Sequence, residues 1–381
     1  MSPDSGNTAP RAIPGFDGRI RSIDALRGLA ATAVMLHHYG FSYAGRIGPH
    51  ADRVPSFAAG HFGVELFFIL SGFVIAGTLQ RSQSPRDFAL RRAARLYPAF
   101  LACSGLTLAV FALGGPNPVG IGPASALAGL TMLAPLAGVP PIDPSHWTLT
   151  YEVAFYALCA LALVHRRGAD PGLRLERICA GWLAAAFLGT LFLPVAALQV
   201  AILLNLPFAL LFVIGAMLAR LAAGMLTPLG LGALVAALGL TGLGPAVDHA
   251  GIGTGPYVLL VLGFAATVLA AATGRLSWLG CAPLVFLGAI SYPLYLVHQI
   301  LGYAIIRQLE RGGCPSGPAI LAAILASVAL ATLIRRAVER PGQRAILRAF
   351  DRAGNAASKP AASKPAAPEP AESEPAAPAR S

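Results

Sequence analysis

Charge is scarce in this chain. Asp, Glu, Lys and Arg together make up 12% of its 381 residues, about half the share in a typical soluble domain. Cysteine is equally sparse and has no pattern. Cys103, Cys159, Cys179, Cys281 and Cys314 form no CxxC pair and no zinc-type spacing with histidine, so neither a disulfide framework nor a metal site is read from them. Most fall in or beside apolar segments, where a small, weakly polar side chain packs. The N-terminal stretch Met1 to Gly18 lacks the short apolar core of a secretory signal. The apolar segment ending near Ser42-Tyr43-Ala44 is too long and carries buried charge, so it is expected to stay as an anchor.

What the chain has in abundance is apolar sequence: 56% of residues are hydrophobic and the mean hydropathy is +0.66. That composition predicts an all-α, polytopic transmembrane helix bundle with no sizeable soluble domain. Stretches of about 20 residues recur along it, enough for about ten crossings of a ~30 Å hydrocarbon layer. They are 23–43, 61–79, 96–114, 147–165, 178–197, 200–219, 228–245, 254–273, 288–306 and 317–334. An eleventh candidate, 120–138, contains Pro123 and Pro135 and runs into Pro140-Pro141. Loop charge favours ten, because a crossing there would put Arg166, Arg167, Arg174 and Arg177 outside. The net charge of +11 follows from the same positive-inside loops, so no nucleic-acid partner is expected. Residues 1–352 read as one transmembrane domain, and the Ala/Pro-rich 353–381 as a disordered cytoplasmic tail.

Against this apolar background the ionisable residues carry the information. Arg27 and His38 lie in the first span, separated by eleven positions, which places them on one helix face ~16 Å apart along the axis. Buried charge costs several kcal/mol, so a matched pair marks a pathway or reaction centre; the structural alternative is a snorkelling arginine and a hydrogen-bonded histidine. Glu65 opens the second span about one turn inside the membrane, at the depth of His38, where an antiparallel neighbour would hold the imidazole. Glu152 is a second acid within an apolar helix, beside Trp147, Tyr151 and Tyr156, which suit an interfacial belt. Arg92 and Arg95, at helical i, i+3 spacing before the third span, share a face and suit a phosphate group, though basic loops are also the topological default. In the ninth span Ser291 and His298 share a face, with Tyr292 and Pro293 beside Ser291.

Taken in order, these segments resemble the acyltransferase-3 family of integral membrane acyltransferases, from about Arg21 to Pro341. The residues that carry the resemblance are Asp24-Ala25-Leu26-Arg27-Gly28 with His38, Gly63-Val64-Glu65-Leu66-Phe67-Phe68 through Ser71-Gly72-Phe73, and Arg92-x-x-Arg95 with Pro98. Trp147-x-Leu149-x-x-Glu152-x-x-Phe155-Tyr156, Ser291-Tyr292-x-x-Tyr295-Leu296-x-His298 and Glu339-Arg340-Pro341 complete the set. Thr148 stands where such enzymes commonly have serine, and the fused esterase-like domain of some relatives is lacking.

The resemblance implies transfer of an acyl group, usually acetyl from acetyl-CoA, to a hydroxyl of a glycan or small secreted molecule. It implies no metal and places the enzyme in a bacterial inner membrane; the loop charges put both termini in the cytoplasm. His38 is expected to be catalytic, with Glu65 or Glu152 orienting it. Arg92 and Arg95 would hold the CoA phosphates, and Arg27 would be an essential partner among the substrate-binding residues. Trp147, Ser291, Tyr292 and His298 are grouped with them as substrate-binding positions. A transporter or flippase is the competing class, since it too uses buried charge and broken helices; the absence of an internal repeat speaks against it.

Overall fold

A computed structural model of the chain describes residues 20–82, 84–164, 170–192, 208–242 and 251–358. The segment Met1 to Gly18, parts of the expected spans 178–197, 200–219 and 228–245, and the tail from 359 lie outside the described residues. Within them the architecture is helical, with no strand. The helices are α1 (Arg21–His37), α2 (Gly63–Arg81), α3 (Pro85–Ala112), α4 (Pro123–Gly129), α5 (Trp147–Leu161) and α6 (Pro171–Phe192). They continue with α7 (Ala209–Ala222), α8 (Pro228–Leu240), α9 (Thr254–Ala272), α10 (Ala282–Arg311), α11 (Ser316–Ile334) and α12 (Arg340–Ser358). Every expected span overlaps one of these helices. Among the described residues five stretches are long and apolar enough to cross a membrane on their own: Ala58–Leu79, Pro85–Ala112, Thr254–Ala272, Ala282–Arg311 and Ser316–Arg352. The prolines of 120–138 limit that segment to the seven residues of α4 and a 3₁₀ turn, Ala134–Ala137, a helix only ~10 Å long by its rise.

Two groups of helices meet side by side. In one, α1, α3 and α11 pack around α10; in the other, α2, α6, α8 and α9 pack around α7. Their junction is closed by α1 against α2, with α5 lodged between α2 and α3. Helix α7 is apolar nearly all round and is buried from Ala209 to Arg220, as a helix with no polar face must be. Its single charge, Arg220, is paired with Glu176 of α6, both almost fully buried. By contrast Leu113, Leu127, Leu259 and Trp278 are more than two-thirds exposed, an apolar rim that fits contact with lipid rather than water.

Backbone-to-backbone contact sets the central crossing. A Cβ on Gly28 would stand 2.5 Å from the Gly288 nitrogen, and one on Gly288 would stand 1.9 Å from the Asp24 carbonyl. Only glycine at both places lets α1 and α10 touch, the small-residue packing that membrane bundles use. The two helices run parallel: Gly28 lies against Gly288, and Tyr39 lies against His298 and Gly302. An odd number of crossings between them produces that direction, and an extra crossing at 120–138 would reverse it.

Proline explains one further tie. Pro293 sits inside α10 and has no N–H to give to the carbonyl four residues back. That carbonyl, of Ala289, instead accepts from the Arg335 guanidinium. Arg335 belongs to a π-helical turn, Arg335–Glu339, that leads into α12. A face of α12 packs on α3, with Arg86 over the Phe350 ring at 5.7 Å. The helix runs to Ser358, past the expected domain boundary at Arg352.

Candidate active site

Two cavities lie where the helix groups meet, one above the other along α1. The first is a slot of about 80 Å³ bordered by Arg27, Arg92, Arg95, Glu152, Ser291 and Tyr292, with Val64, Phe67 and Tyr295 among its apolar and aromatic walls. Arg27 makes no hydrogen bond or ion pair with any described residue. Arg92 leaves its Nε buried and unpaired, its guanidinium lying 5.9 Å and 6.0 Å from the ring centres of Phe88 and Tyr156. Arg95 is differently placed. It forms an ion pair with Glu339 and lies over the Tyr292 ring at 5.2 Å. The expected arginine pair is therefore split: Arg27 and Arg92 have unspent donors, while Arg95 is anchored by the Glu339 of the closing motif.

The other groups of the slot are held in place by the backbone. Ser291 Oγ donates to the Gly288 carbonyl at 2.9 Å, and the Tyr292 hydroxyl donates to the Leu96 carbonyl at 3.0 Å. Glu152 accepts from Ser71 Oγ at 3.0 Å and from the Tyr156 hydroxyl. Its charge partly balances the arginines.

The second cavity, about 300 Å³, is bordered by His37, His38, Ser42, Arg46, His61, Ser145, Trp147 and Gln299. Val64 and Tyr295 border both cavities and form the partition between them. Thr148 Oγ1 donates to the Tyr295 hydroxyl at 3.0 Å, and the Phe67 ring meets Tyr295 edge-on with centres 5.6 Å apart. At this level α1 widens into a π-helical turn, His38–Ser42, a local unwinding that recurs at functional sites.

Hydrogen bonding fixes the state of His38. His298 is fully buried, and its Nδ1 lies 2.9 Å from the Tyr295 carbonyl and 3.1 Å from that of Leu294. A carbonyl only accepts, so Nδ1 carries the proton and Nε2 of the neutral ring is an acceptor. That Nε2 is 2.7 Å from His38 Nδ1. His38 Nδ1 is then the donor, and its Nε2 holds the free lone pair. This is the arrangement of a general base with an orienting partner.

The geometry corrects the expected partner of His38. Neither glutamate hydrogen-bonds to it among the described residues. Glu65 is buried, with Oε2 unpaired, and its electrostatic neighbours include Tyr257 of α9 and Tyr295. Glu152 belongs to the arginine slot. Gly60 lies against Ala33 and Gly63 against Ala30, so Glu65, further along the antiparallel α2, sits toward the Arg27 end of α1 rather than at the level of His38. The side chain bonded to His38 is instead His298, which the sequence placed only as a substrate-binding position. A buried carboxylate that the sequence reading missed, Asp143, acts electrostatically on His298. Asp143 accepts from the Ser145 backbone and hydroxyl and from the Ile300 N–H. His37, Arg46, His61 and Gln299 were also missed; an imidazole next to His38 was their one visible signal.

An apolar helix bundle with cationic and imidazole chambers sharing one wall suits group transfer. Comparison with known proteins fixes the class. The acyltransferase-3 family model, described as an acyltransferase domain, matches residues 20–336. The chain belongs to that family and is a membrane O-acyltransferase, which sets aside the transporter alternative. It is 31% identical over 315 residues to the exopolysaccharide production protein ExoZ of Rhizobium meliloti, covering 77% of this chain and 91% of the relative. Shorter matches are to an O-acetyl transferase of Shigella phage Sf6, 39% over 89 residues, covering 23% of this chain and 26% of the relative. The peptidoglycan O-acetyltransferase OatA of Listeria monocytogenes is 37% identical over 86 residues, covering 21% of this chain and 12% of the relative. No solved structure matches the chain significantly. Among the described residues no group of histidine, cysteine and carboxylate is arranged to hold a metal ion.

Proposed function

We propose that the protein transfers an acetyl group from acetyl-CoA to a hydroxyl of a cell-envelope or secreted polysaccharide, in a bacterial inner membrane with both termini cytoplasmic. The observation that carries this reading is the shared wall: a slot with unspent arginine donors abuts the chamber of a base whose lone pair is free. A slot of that narrowness suits an extended pantetheine arm, with CoA phosphates at Arg27 and Arg92 and Arg95 beside them. The ~16 Å of helix between Arg27 and His38 matches the reach of such an arm. Likeness to a polysaccharide production protein and to two O-acetyltransferases supports the acceptor and the group transferred.

In the proposed reaction, His38 Nε2 takes the proton of the acceptor hydroxyl as its oxygen attacks the thioester carbonyl. The carbon–sulfur bond breaks, the ester forms, and the thiolate of CoA recovers the proton from the imidazolium. His298 Nε2 holds His38 through Nδ1–H and strengthens that bond as charge appears on the ring. The competing course is an acyl-histidine on His38. Incubating purified enzyme with radiolabelled acetyl-CoA and no acceptor separates the two. Direct transfer leaves the protein unlabelled; stable label that disappears in His38→Ala would establish the covalent course.

A further inference from the structure

The outer chamber holds more than His38, and the direction of its hydrogen bonds describes a ligand. His37 Nδ1 and His61 Nδ1 lie 2.9 Å and 2.7 Å from the same carbonyl, that of Ala58. Both must carry their proton on Nδ1, so both present Nε2 as an acceptor. The Nε2 of His61 is buried and has no partner. Gln299, 1% exposed, spends its amide nitrogen on the Tyr303 hydroxyl at 3.4 Å and leaves Oε1 buried and unpaired. Acceptors left unpaired in a buried place are costly, so this wall is incomplete without a ligand that brings hydrogen-bond donors. Hydroxyl groups of a sugar are such donors.

The charge on the same rim narrows the class. Arg46 lies one turn beyond the π-helical segment, with its Nε donating to Ser42 Oγ at 3.2 Å and no carboxylate of the described residues within ion-pair distance. We infer that this chamber is an acceptor subsite built for an acidic sugar: His37, His61 and Gln299 accept its hydroxyls while Arg46 pairs with its carboxylate. A volume of about 300 Å³ falls at the lower end of ligand pockets and admits a sugar unit rather than a long chain. The inference rests on the acyl-transfer reading for the role of the sugar, but not for its binding.

The test measures binding and transfer separately on the full-length protein in detergent. The probes are trimers of galacturonic, glucuronic and mannuronic acid, each against its neutral hexose trimer, with acetyl-CoA titrated in a parallel arm. At least one uronic trimer is expected to bind about tenfold more tightly than its neutral counterpart, the worth of one hydrogen-bonded charge pair. Arg46→Gln should abolish that preference and Arg46→Lys should restore part of it, while His61→Phe weakens acidic and neutral trimers alike. Acetyl-CoA binding should be unchanged in all three variants. The inference is overturned if no uronic trimer is preferred, or if the preference survives Arg46→Gln. Loss of acetyl-CoA binding by the wild-type protein, with the uronic preference intact, would instead sink the donor assignment alone.

Discussion

Replacing His298 by leucine removes the acceptor that His38 Nδ1–H uses at 2.7 Å. The bond matters most when His38 becomes an imidazolium, since a charged donor roughly doubles its strength. A hydrogen bond to a charged group is worth ~1.5–3 kcal/mol, and at 1.36 kcal/mol per decade the loss is a roughly 10- to 150-fold fall in kcat. His298 does not border the arginine slot, so KM for acetyl-CoA should stay within about twofold. His298→Gln keeps an acceptor oxygen near the position of Nε2 and should recover most of the rate. The assay is CoA release followed with a thiol reagent, with thermal unfolding of each variant alongside. Full activity in the leucine variant, or a glutamine variant no better than leucine at equal stability, would refute the orienting role.

Arg92→Ala should raise KM for acetyl-CoA about tenfold, and less for an analogue lacking the 3′-phosphate, as expected for one lost charge-assisted contact. Arg95→Ala should also lower the melting temperature, because it leaves the buried Glu339 with only its longer, 3.6 Å pair to Arg335; adding Glu339→Gln should restore stability without restoring KM. Tyr295→Ala thins the partition between the cavities, and the ratio of kcat/KM for butyryl-CoA to that for acetyl-CoA should rise in steady-state assays. Gly288→Ala drives a methyl group into the Asp24 carbonyl; it should destabilise the bundle by ~1–3 kcal/mol and, by displacing His298 from His38, lower activity in the protein that remains folded.

Much of the site was legible because it obeys helical spacing. Arg27 sits on α1 and His38 opens the π-helical turn that continues it, and the arginine slot gathers Arg92, Arg95, Glu152, Ser291 and Tyr292 from three other helices. The helices themselves followed from run length, and the short α4 from its prolines. Partnerships across the chain were not legible. His38 and His298 are 260 residues apart, and Arg95 and Glu339 are 244 apart; nothing local encodes such a meeting except the glycines that bring the helices together. Register between helices was the second obstacle. Counting from the span ends put Glu65 beside His38, but Gly60 meets Ala33 and Gly63 meets Ala30, which sets Glu65 toward the Arg27 end of α1, and the π-helical turn after His37 departs from the 3.6-residue period on which helix faces are reckoned. Asp143 lies outside the regular helical runs, where periodicity carries no information, and Arg46 ends a short helical turn, Tyr43–Arg46, that follows the π-helical segment and so is out of phase with α1.

The central claim is that one donor molecule spans both cavities, phosphates on the arginines and reacting carbon beside His38. Its most direct test is the position of a non-transferable thioether analogue of acetyl-CoA bound to the full-length enzyme, determined by electron cryomicroscopy. The account predicts diphosphate density against Arg27 and Arg92, the pantetheine arm passing Val64 and Tyr295, and the acetyl-mimicking carbon within hydrogen-bonding reach of His38 Nε2. An analogue lying wholly on the arginine side of a closed Tyr295, or entering from another face of the bundle, would contradict it.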